Sequence, residues 1–197
     1  MDRMKKCEAR QHFLNLRQAL TTKEVERMDL ELLKQFQKLD LQGVEQVHLF
    51  LPILSKKEIN TYPVADWLRE QHPEIQLILS KSNLETHSLS HYIWDEHTQL
   101  AENRWGITEP QGGQEINARE IDLVLVPLLA CDKQGHRVGY GKGFYDRFLA
   151  ECKPNVRKVG LSFFEPIDEI IELNSHDIPL NTCITPQKIW EFAKTGL

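Results

Sequence analysis

The stretch Ile121-Asp-Leu-Val-Leu-Val-Pro-Leu-Leu-Ala-Cys-Asp-Lys-Gln-Gly-His-Arg-Val-Gly-Tyr-Gly-Lys-Gly-Phe-Tyr-Asp-Arg147 decides the fold. Its first ten residues are the most apolar run in the chain. A continuous run of this kind is typical of a central strand that is covered on both faces. A glycine-rich loop follows, and the pattern then predicts a helix from about Lys142 to Glu151. A strand, a glycine loop and a helix in this order indicate an α/β protein.

Elements predicted outward from this stretch also alternate between helix and strand. On the N-terminal side they are a helix over 4–20, a helix from Thr21 or Thr22 to about Gly43, a strand at Val47–Leu51, a helix capped by Asn60 or Thr61 that ends before Pro73, a strand at Ile75–Leu79, strand pieces within 86–104 and a loop over 105–113. On the C-terminal side they are a strand at Val156–Phe163, one short strand and a helix near Pro186–Lys194. We therefore predict one domain over residues 1–197, with a central mostly parallel sheet flanked by helices and an N-terminal helical arm.

Composition excludes several classes of protein. The 197 residues carry a net charge of −5 with a pI near 5.9, which argues against a nucleic-acid binder. No apolar run approaches the length of a membrane span, and the basic start Met1–Lys6 is not followed by the apolar segment of a secretion signal. The four cysteines form no CxxC pair, so we expect reduced thiols. We expect a cytoplasmic monomer that binds neither nucleic acid nor membrane.

The glycine loop has the features of an anion-binding site. Gly139, Gly141 and Gly143 lack Cβ atoms, so backbone amides there can approach a ligand closely. The loop leads into a helix N-terminus, which carries partial positive charge, and Arg137 and Lys142 add full charges. The spacing matches neither the Walker A loop nor the dinucleotide pattern GxGxxG. Spacing alone also fits a tight turn that closes a strand–helix unit.

Other candidate residues have two interpretations each. Asp146, one turn into the predicted helix, either binds a cation or interacts with the helix dipole. Lys6 and Arg10 are four residues apart, so they share a helix face that either binds an anion or is simply solvated. His87 and His91 have the same spacing, but no HExxH motif accompanies them and a zinc site is not expected.

The run from Pro127 to Arg147 resembles the signature of the 5-formyltetrahydrofolate cyclo-ligases, also called 5,10-methenyltetrahydrofolate synthetases. Four further blocks resemble that family and fall in its order: Lys6–Arg10, Glu58–Thr61, Trp105–Pro110 and Asn174–Pro179. The resemblance therefore covers nearly the whole chain. It implies an α/β fold of the type shared with sugar-phosphate isomerases and CoA transferases.

The resemblance also implies an activity and a set of site residues. The reaction converts 5-formyltetrahydrofolate, or its polyglutamylated forms, and ATP to 5,10-methenyltetrahydrofolate, ADP and phosphate, with magnesium required. The residues that would bind ATP are Lys6, Arg10, Arg137, Val138, Gly139, Tyr140, Gly141, Lys142, Gly143, Phe144 and Tyr145. The residues that would bind the folate are Glu58, Trp105, Tyr140, Gly141, Lys142, Gly143 and Phe144. Asp146 and Asp177 would bind magnesium, and Arg137 and Lys142 would be catalytic.

The chain departs from the family pattern at three positions. Tyr140 stands where family members often have Arg, and Leu128 and Cys131 replace the usual Gly and Phe. Two of the folate-binding residues have an alternative interpretation: Glu58 as an exposed loop acid and Trp105 as a packing anchor. Two other functions stay open: another ATP- or phosphate-ligand enzyme on the same fold, and a non-catalytic folate- or nucleotide-binding protein.

Overall fold

The computed structural model describes residues 2–193. Within that range the α-helices are α1 (Lys6–Ala19), α2 (Thr22–Phe36), α3 (Tyr62–Gln71) and α4 (Phe144–Glu151). The strands are β1 (Arg3–Lys5), β2 (Gln46–His48), β3 (Gln76–Asn83), β4 (Ser88–Ile93), β5 (Leu100–Glu102), β6 (Thr108–Pro110), β7 (Glu115–Ile116), β8 (Leu123–Pro127), β9 (Ala130–Cys131), β10 (Arg137–Val138), β11 (Arg157–Leu161), β12 (Glu169–Ile171), β13 (Thr182–Ile184) and β14 (Ile189–Glu191). Two short 3-10 helices are Leu54–Lys56 and Ala118–Glu120.

The described residues group into two compact units, each built from separate stretches of chain. The first unit comprises the described parts of 1–39, 126–142 and 157–197, and the second comprises 40–125 and 143–156. The prediction of a single domain over 1–197 stays a prediction. No helix within the described range is both long and apolar enough to cross a membrane.

In the second unit, β2 is the central strand. It pairs in parallel with β3 and with β8, so that Val47 lies opposite Leu77 and Leu123. On the outer side, β3 pairs with β4 and β4 pairs with β7, both antiparallel. Strand β8 is the strand predicted from the apolar run, and its residues Leu123 to Val126 are fully buried. Its burial confirms the prediction of a central strand that is covered on both faces.

In the first unit, helix α1 packs on the hairpin that precedes the glycine loop. Strands β9 and β10 form this antiparallel hairpin, with Cys131 opposite Arg137 and Ala130 opposite Val138. The buried residues that join helix, hairpin and β12 are Ala9, Phe13, Leu129, Ala130, Val138, Ile167 and Ile170. Elsewhere in this unit β11 and β13 are parallel, and β1 pairs in parallel with β12. The predicted N-terminal arm therefore contributes its inner face to a core.

The start of α2 follows the capping rules expected from its sequence. The Thr21 hydroxyl accepts a hydrogen bond from the Glu24 N–H, and the Glu24 carboxylate accepts one from the Thr21 N–H. A reciprocal cap of this kind stabilises a helix by about 1 kcal/mol. Together, the mostly parallel sheet and its flanking helices confirm the predicted α/β class.

Several predicted boundaries are wrong. Helix α2 ends at Phe36 and does not reach Gly43, and the predicted loop over 105–113 contains β6, which pairs with β5. The helix predicted near Pro186–Lys194 is instead the strand β14 as far as residue 193, and Lys194 lies outside the described residues. Strand β14 forms because it pairs antiparallel with β13, which precedes it closely in the chain, and this pairing overrides local helix propensity.

Candidate functional site

The hairpin before the glycine loop is organised by Asp132, whose side chain is fully buried. Its Oδ1 accepts hydrogen bonds of 2.9 Å from the N–H groups of Gln134 and His136. Its Oδ2 accepts 3.0 Å bonds from the Ile170 N–H and from His136 Nδ1. One carboxylate therefore satisfies three backbone donors and fixes the turn from which the glycine loop begins.

The glycine loop is held closely by Arg10 of α1. The Arg10 Nε donates a 2.9 Å hydrogen bond to the Gly139 carbonyl. Gly141 has a φ of +86°, and a Cβ at this position would lie 3.0 Å from Arg10 Nη2. The missing side chain at Gly141 therefore makes room for the guanidinium. Arg10 is half-buried and bonded, which contradicts the interpretation of a simply solvated basic face.

Lys6, one turn before Arg10, forms an ion pair with Asp177. Asp177 Oδ2 also accepts a 2.6 Å hydrogen bond from the Asn174 N–H. Partial burial raises the pKa of the Asp177 carboxyl, but the Lys6 hydrogen bond, the Asn174 N–H and the charges of Lys6 and Arg137 outweigh it. The pKa therefore lies below its ordinary value, and Asp177 is an anion at neutral pH.

Arg137 lies on β10, and its Nη1 donates to the carbonyl of Ile178, next to Asp177. Within the first unit, the structure thus brings Lys6 and Arg137 to one segment and Arg10 to the neighbouring glycine loop. Val138 is buried and its carbonyl accepts a 2.8 Å hydrogen bond from the Leu129 N–H, whereas Tyr140 and Lys142 are exposed. The arrangement places cations beside a glycine-rich loop, as an anion site requires.

Four of the residues predicted to bind ATP, folate or magnesium lie in the second unit, at the start of α4. Gly143 is the N-cap with a φ of +73°, and a Cβ there would lie 2.9 Å from Arg147 Nη1. Phe144 and Tyr145 occupy the first turn, and the Phe144 ring lies 5.4 Å from that of His87. Asp146 is also in this first turn, half-buried. Within residues 2–193 no group of three or more His, Cys, Asp or Glu side chains is placed to hold a metal ion.

Glu58 and Trp105 both differ from the alternatives that the sequence left open. Glu58 is not an exposed acid: it is 6% exposed, and its Oε2 accepts a 2.8 Å hydrogen bond from the Ile53 N–H. It therefore closes the turn that contains the 3-10 helix. Trp105 is not a packing anchor, because 58% of its surface is exposed.

Sequence reasoning missed two residues of this region. Arg17 of α1 is buried, and its Nη2 lies 2.5 Å from the Tyr140 hydroxyl. Its spacing from Lys6 and Arg10 places all three within about 40° on one helix face, which was the available signal. Asp132 was signalled by its position before Gly135, in a pattern typical of a turn closed by an Asp side chain.

The fold and this site define an α/β protein with a glycine-rich loop that suits a phosphate-bearing ligand. The family model described as the 5-formyltetrahydrofolate cyclo-ligase family matches residues 2–186. The chain therefore belongs to the 5-formyltetrahydrofolate cyclo-ligase family, as its sequence motifs predicted.

Individual relatives agree with this membership. A Schizosaccharomyces pombe protein named a probable 5-formyltetrahydrofolate cyclo-ligase is 28% identical over 69% of this chain and 72% of its own. The Escherichia coli K12 protein named 5-formyltetrahydrofolate cyclo-ligase is 33% identical over 48% of this chain and 54% of its own.

Two solved structures share the fold. An NMR structure of Aquifex aeolicus 5,10-methenyltetrahydrofolate synthetase has a TM-score of 0.79 and 29% identity, covering 98% of this chain and 94% of the other. A 5,10-methenyltetrahydrofolate synthetase from Mycoplasma pneumoniae has a TM-score of 0.69 and 21% identity, covering 92% of this chain and 98% of the other, and supports the fold alone.

Proposed function

We propose that this protein catalyses the ATP-dependent cyclisation of 5-formyltetrahydrofolate to 5,10-methenyltetrahydrofolate, with release of ADP and phosphate. The observation that carries the proposal is the grip of Arg10 on the glycine loop, in a chain whose residues 2–186 match the cyclo-ligase family model. A loop fixed in this way keeps its amides in place for a phosphate, so binding costs little conformational entropy in the loop.

ATP is the co-substrate implied by family membership, and the first unit offers the charges for it. Lys6, Arg10 and Arg137 reach the glycine loop and the adjoining segment at Asp177 and Ile178. Backbone and side chains from Arg137 to Lys142 line the same loop, and Gly143 to Tyr145 continue it into α4. Charge-assisted hydrogen bonds of this type are worth about 1.5–3 kcal/mol each before desolvation.

The proposed chemistry needs no protein nucleophile. The formyl oxygen attacks the γ-phosphorus of ATP, and ADP leaves with the electron pair of the broken P–O bond. The folate N10 then attacks the activated formyl carbon, loses its proton, and closes the ring as phosphate departs with the formyl oxygen. The protein's tasks are to align the ligands and to stabilise the transferring charge. Arg137 and Lys142 are the proposed catalytic cations.

Magnesium is proposed as the companion of ATP, with Asp146 and Asp177 as the candidate carboxylates. Magnesium takes one or two carboxylates together with phosphate oxygens and water, and it would neutralise phosphate charge. The lowered pKa of Asp177 suits such a ligand, because the carboxylate is ionised at neutral pH. Lys6 bonds to the same carboxylate, so Lys6 and the metal would share it. A magnesium titration of Asp177→Asn tests this, and an unchanged titration contradicts it.

The folate side is proposed to include Glu58, Trp105 and Phe144 together with Tyr140 to Gly143. The exposed ring of Trp105 offers a stacking surface for a planar group. Glu58 already holds the Ile53 N–H with one oxygen, so any contact with a pterin N–H would come from a carboxylate fixed in orientation. Polyglutamylated substrates, a monomeric state and a cytoplasmic location are also proposed. Kinetics with lengthened glutamate tails, sedimentation and cell fractionation test these three in turn.

A turnover assay on the purified protein tests the proposed function. The methenyl product absorbs where the formyl substrate does not, and ADP is measured in the same reaction. The proposal expects product only when ATP and magnesium are both present, with one ADP for each methenyl group. ATP binding without product would favour a non-catalytic binding protein, and ATP use without methenyl product would favour another phosphate-ligand enzyme on this fold.

A further inference from the structure

Arg17 of α1 is a buried cation with an unusual set of partners. It is 5% exposed, and its Nη2 donates to the Tyr140 hydroxyl at 2.5 Å. Its guanidinium carbon also lies 5.7 Å from the centre of the Tyr140 ring. Its Nε is buried without a hydrogen-bond partner, and no carboxylate within residues 2–193 pairs with it. Among the described residues, the side-chain contacts of this guanidinium are therefore made with one tyrosine.

Stability does not explain such a residue. Burying a guanidinium has a large desolvation cost, and a hydrogen bond to a neutral hydroxyl offsets only part of it. Replacing a buried charge by a well-packed apolar side chain is often neutral or stabilising. What the arrangement does achieve is to fix the side chain of Tyr140 through both its hydroxyl and its ring.

Tyr140 lies between Gly139 and Gly141, at the centre of the loop that Arg10 holds. The residue is 41% exposed, so it keeps a surface available to a bound molecule. Helix α1 thus contacts the loop at two points: Arg10 bonds to the Gly139 backbone, and Arg17 bonds to the Tyr140 side chain. Two basic residues on one helix face, Arg10 and Arg17, therefore contact the same loop, which a merely solvated face would not do.

We propose that Arg17 is a positioning residue that fixes the Tyr140 ring against a planar aromatic group of the bound ligand. This inference rests on the proposed function, which supplies two such groups, the adenine of ATP and the pterin or aminobenzoyl ring of the folate. Without Arg17 the Tyr140 side chain loses two contacts that restrain it, so a larger ordering cost falls on ligand binding. The expected defect is in binding, with the chemical step largely intact.

The test compares Arg17→Met, Arg17→Lys, Tyr140→Phe and the double variant R17M/Y140F. Arg27→Met is the matched control, because Arg27 is an exposed arginine on the neighbouring helix. For Arg17→Met we expect KM for ATP or for 5-formyltetrahydrofolate to rise about tenfold, the scale of one lost hydrogen bond, with kcat changed less than twofold. The substrate whose KM rises identifies the ring that Tyr140 meets. Arg17→Lys restores only part of the loss.

Two further readouts separate positioning from a structural role. The unfolding midpoint of ligand-free Arg17→Met should stay equal to wild type or rise, whereas a structural residue would lower it. The double variant should be no worse than Arg17→Met, because both changes break the same contact. Unchanged KM for both substrates, a lowered midpoint, or effects that multiply in the double variant would each overturn the proposal.

Failure of the proposed function can be told apart from failure of this inference. Wild-type turnover tests the function, and the ratio of variant to wild type tests Arg17. If the wild type gives no product, the same variants are compared by the rise in unfolding midpoint with ATP and with 5-formyltetrahydrofolate, added separately. A smaller rise in Arg17→Met supports the positioning role, and equal rises overturn it.

Discussion

Arg10 Nε and the Gly139 carbonyl oxygen lie 2.9 Å apart, although 129 residues separate them along the chain. This bond ties the N-terminal helix α1 to the glycine loop, and it gives the basic helix face a defined structural task. The loop amides owe their arrangement to a residue far away in sequence. Changes at Arg10 should therefore affect the site even though the loop sequence stays intact.

The first prediction concerns Arg10 itself. Arg10→Met removes the charged donor to Gly139 and should lower kcat/KM by about 10- to 100-fold, the range that a lost charge-assisted hydrogen bond allows. Steady-state kinetics measure the effect, with Arg27→Met as the exposed control. Equal kcat/KM in Arg10→Met and wild type would show that the loop does not depend on this bond.

The second prediction separates backbone strain from crowding at the loop. Gly141 and Gly43 both have positive φ, +86° and +74°, but only Gly141 has a close neighbour, Arg10. A substitution to Ala should destabilise both variants by about 1–2 kcal/mol, because the left-handed conformation is unfavourable for L-residues. Only Gly141→Ala should also lose activity, since its Cβ displaces the Arg10 guanidinium.

Denaturant unfolding and kinetics on the two variants check this pair. The same loss of activity in Gly43→Ala and Gly141→Ala would mean that general destabilisation, and not the Arg10 contact, accounts for the effect. Full activity in Gly141→Ala would mean that the guanidinium can move away without consequence.

The third prediction concerns the buried carboxylate of Asp132. Asp132→Asn keeps the shape of the side chain but replaces one acceptor oxygen by an NH2 group, which is a donor. At the Oδ1 position this group would face the backbone N–H groups of Gln134 and His136. At the Oδ2 position it would face the Ile170 N–H and His136 Nδ1. We expect a loss of about 3 kcal/mol in the free energy of unfolding. The control Asp66→Asn removes only an exposed ion pair and should cost less than about 0.5 kcal/mol. Equal unfolding midpoints for the two variants would contradict the assigned role.

The fourth prediction is a dependence of stability on pH that arises from two buried histidines. His48 Nε2 and His91 Nδ1 both bond to the Ser80 hydroxyl, at 2.7 and 2.9 Å. Burial lowers the pKa of His91 from 6.5 to about 4. Burial, and then the neighbouring His91, lower the pKa of His48 well below its ordinary value. The native protein therefore keeps both rings neutral in weak acid.

The sign of the effect follows from proton binding. Between pH 6.5 and 4 the unfolded chain takes up protons that the native state does not, so the free energy of unfolding falls as the pH is lowered. The decrease in the free energy of unfolding that His91 causes should reach about 3 kcal/mol and level off below about pH 4. Urea unfolding from pH 7.5 to 4.5 measures it. His91→Gln should reduce the slope, because only His48 would then contribute, and the exposed control His97→Gln should not; an equal slope in both would contradict this origin.

Much of this could be predicted because the decisive patterns are local. The apolar run at Ile121–Ala130 required a buried strand, the Thr21–Glu24 cap fixed the start of α2, and the motifs identified the family. Lys6 and Arg10 were singled out by their spacing and their resemblance to the family motif, and the structure bonds both of them to residues near the loop.

The missed features depend on partners that local sequence patterns do not reveal. Arg17 is buried and bonds to Tyr140, 123 residues away; its spacing places it on the face of Lys6 and Arg10 but does not show that it is buried. Glu58 is buried because its carboxylate closes a turn, and β14 is a strand because β13 lies beside it. Such outcomes are set by contacts in the folded chain, which helix and strand propensity and hydrophobic periodicity do not predict.

The central claim is that ATP activates the formyl oxygen, and oxygen transfer tests it most directly. The substrate is 5-formyltetrahydrofolate labelled with ¹⁸O in the formyl group, incubated with the protein, ATP and magnesium. The account predicts that methenyl product forms and that each released phosphate carries the ¹⁸O atom, as mass spectrometry would show. Methenyl product with unlabelled phosphate would contradict the phosphorylation step, and no methenyl product at all would contradict the function.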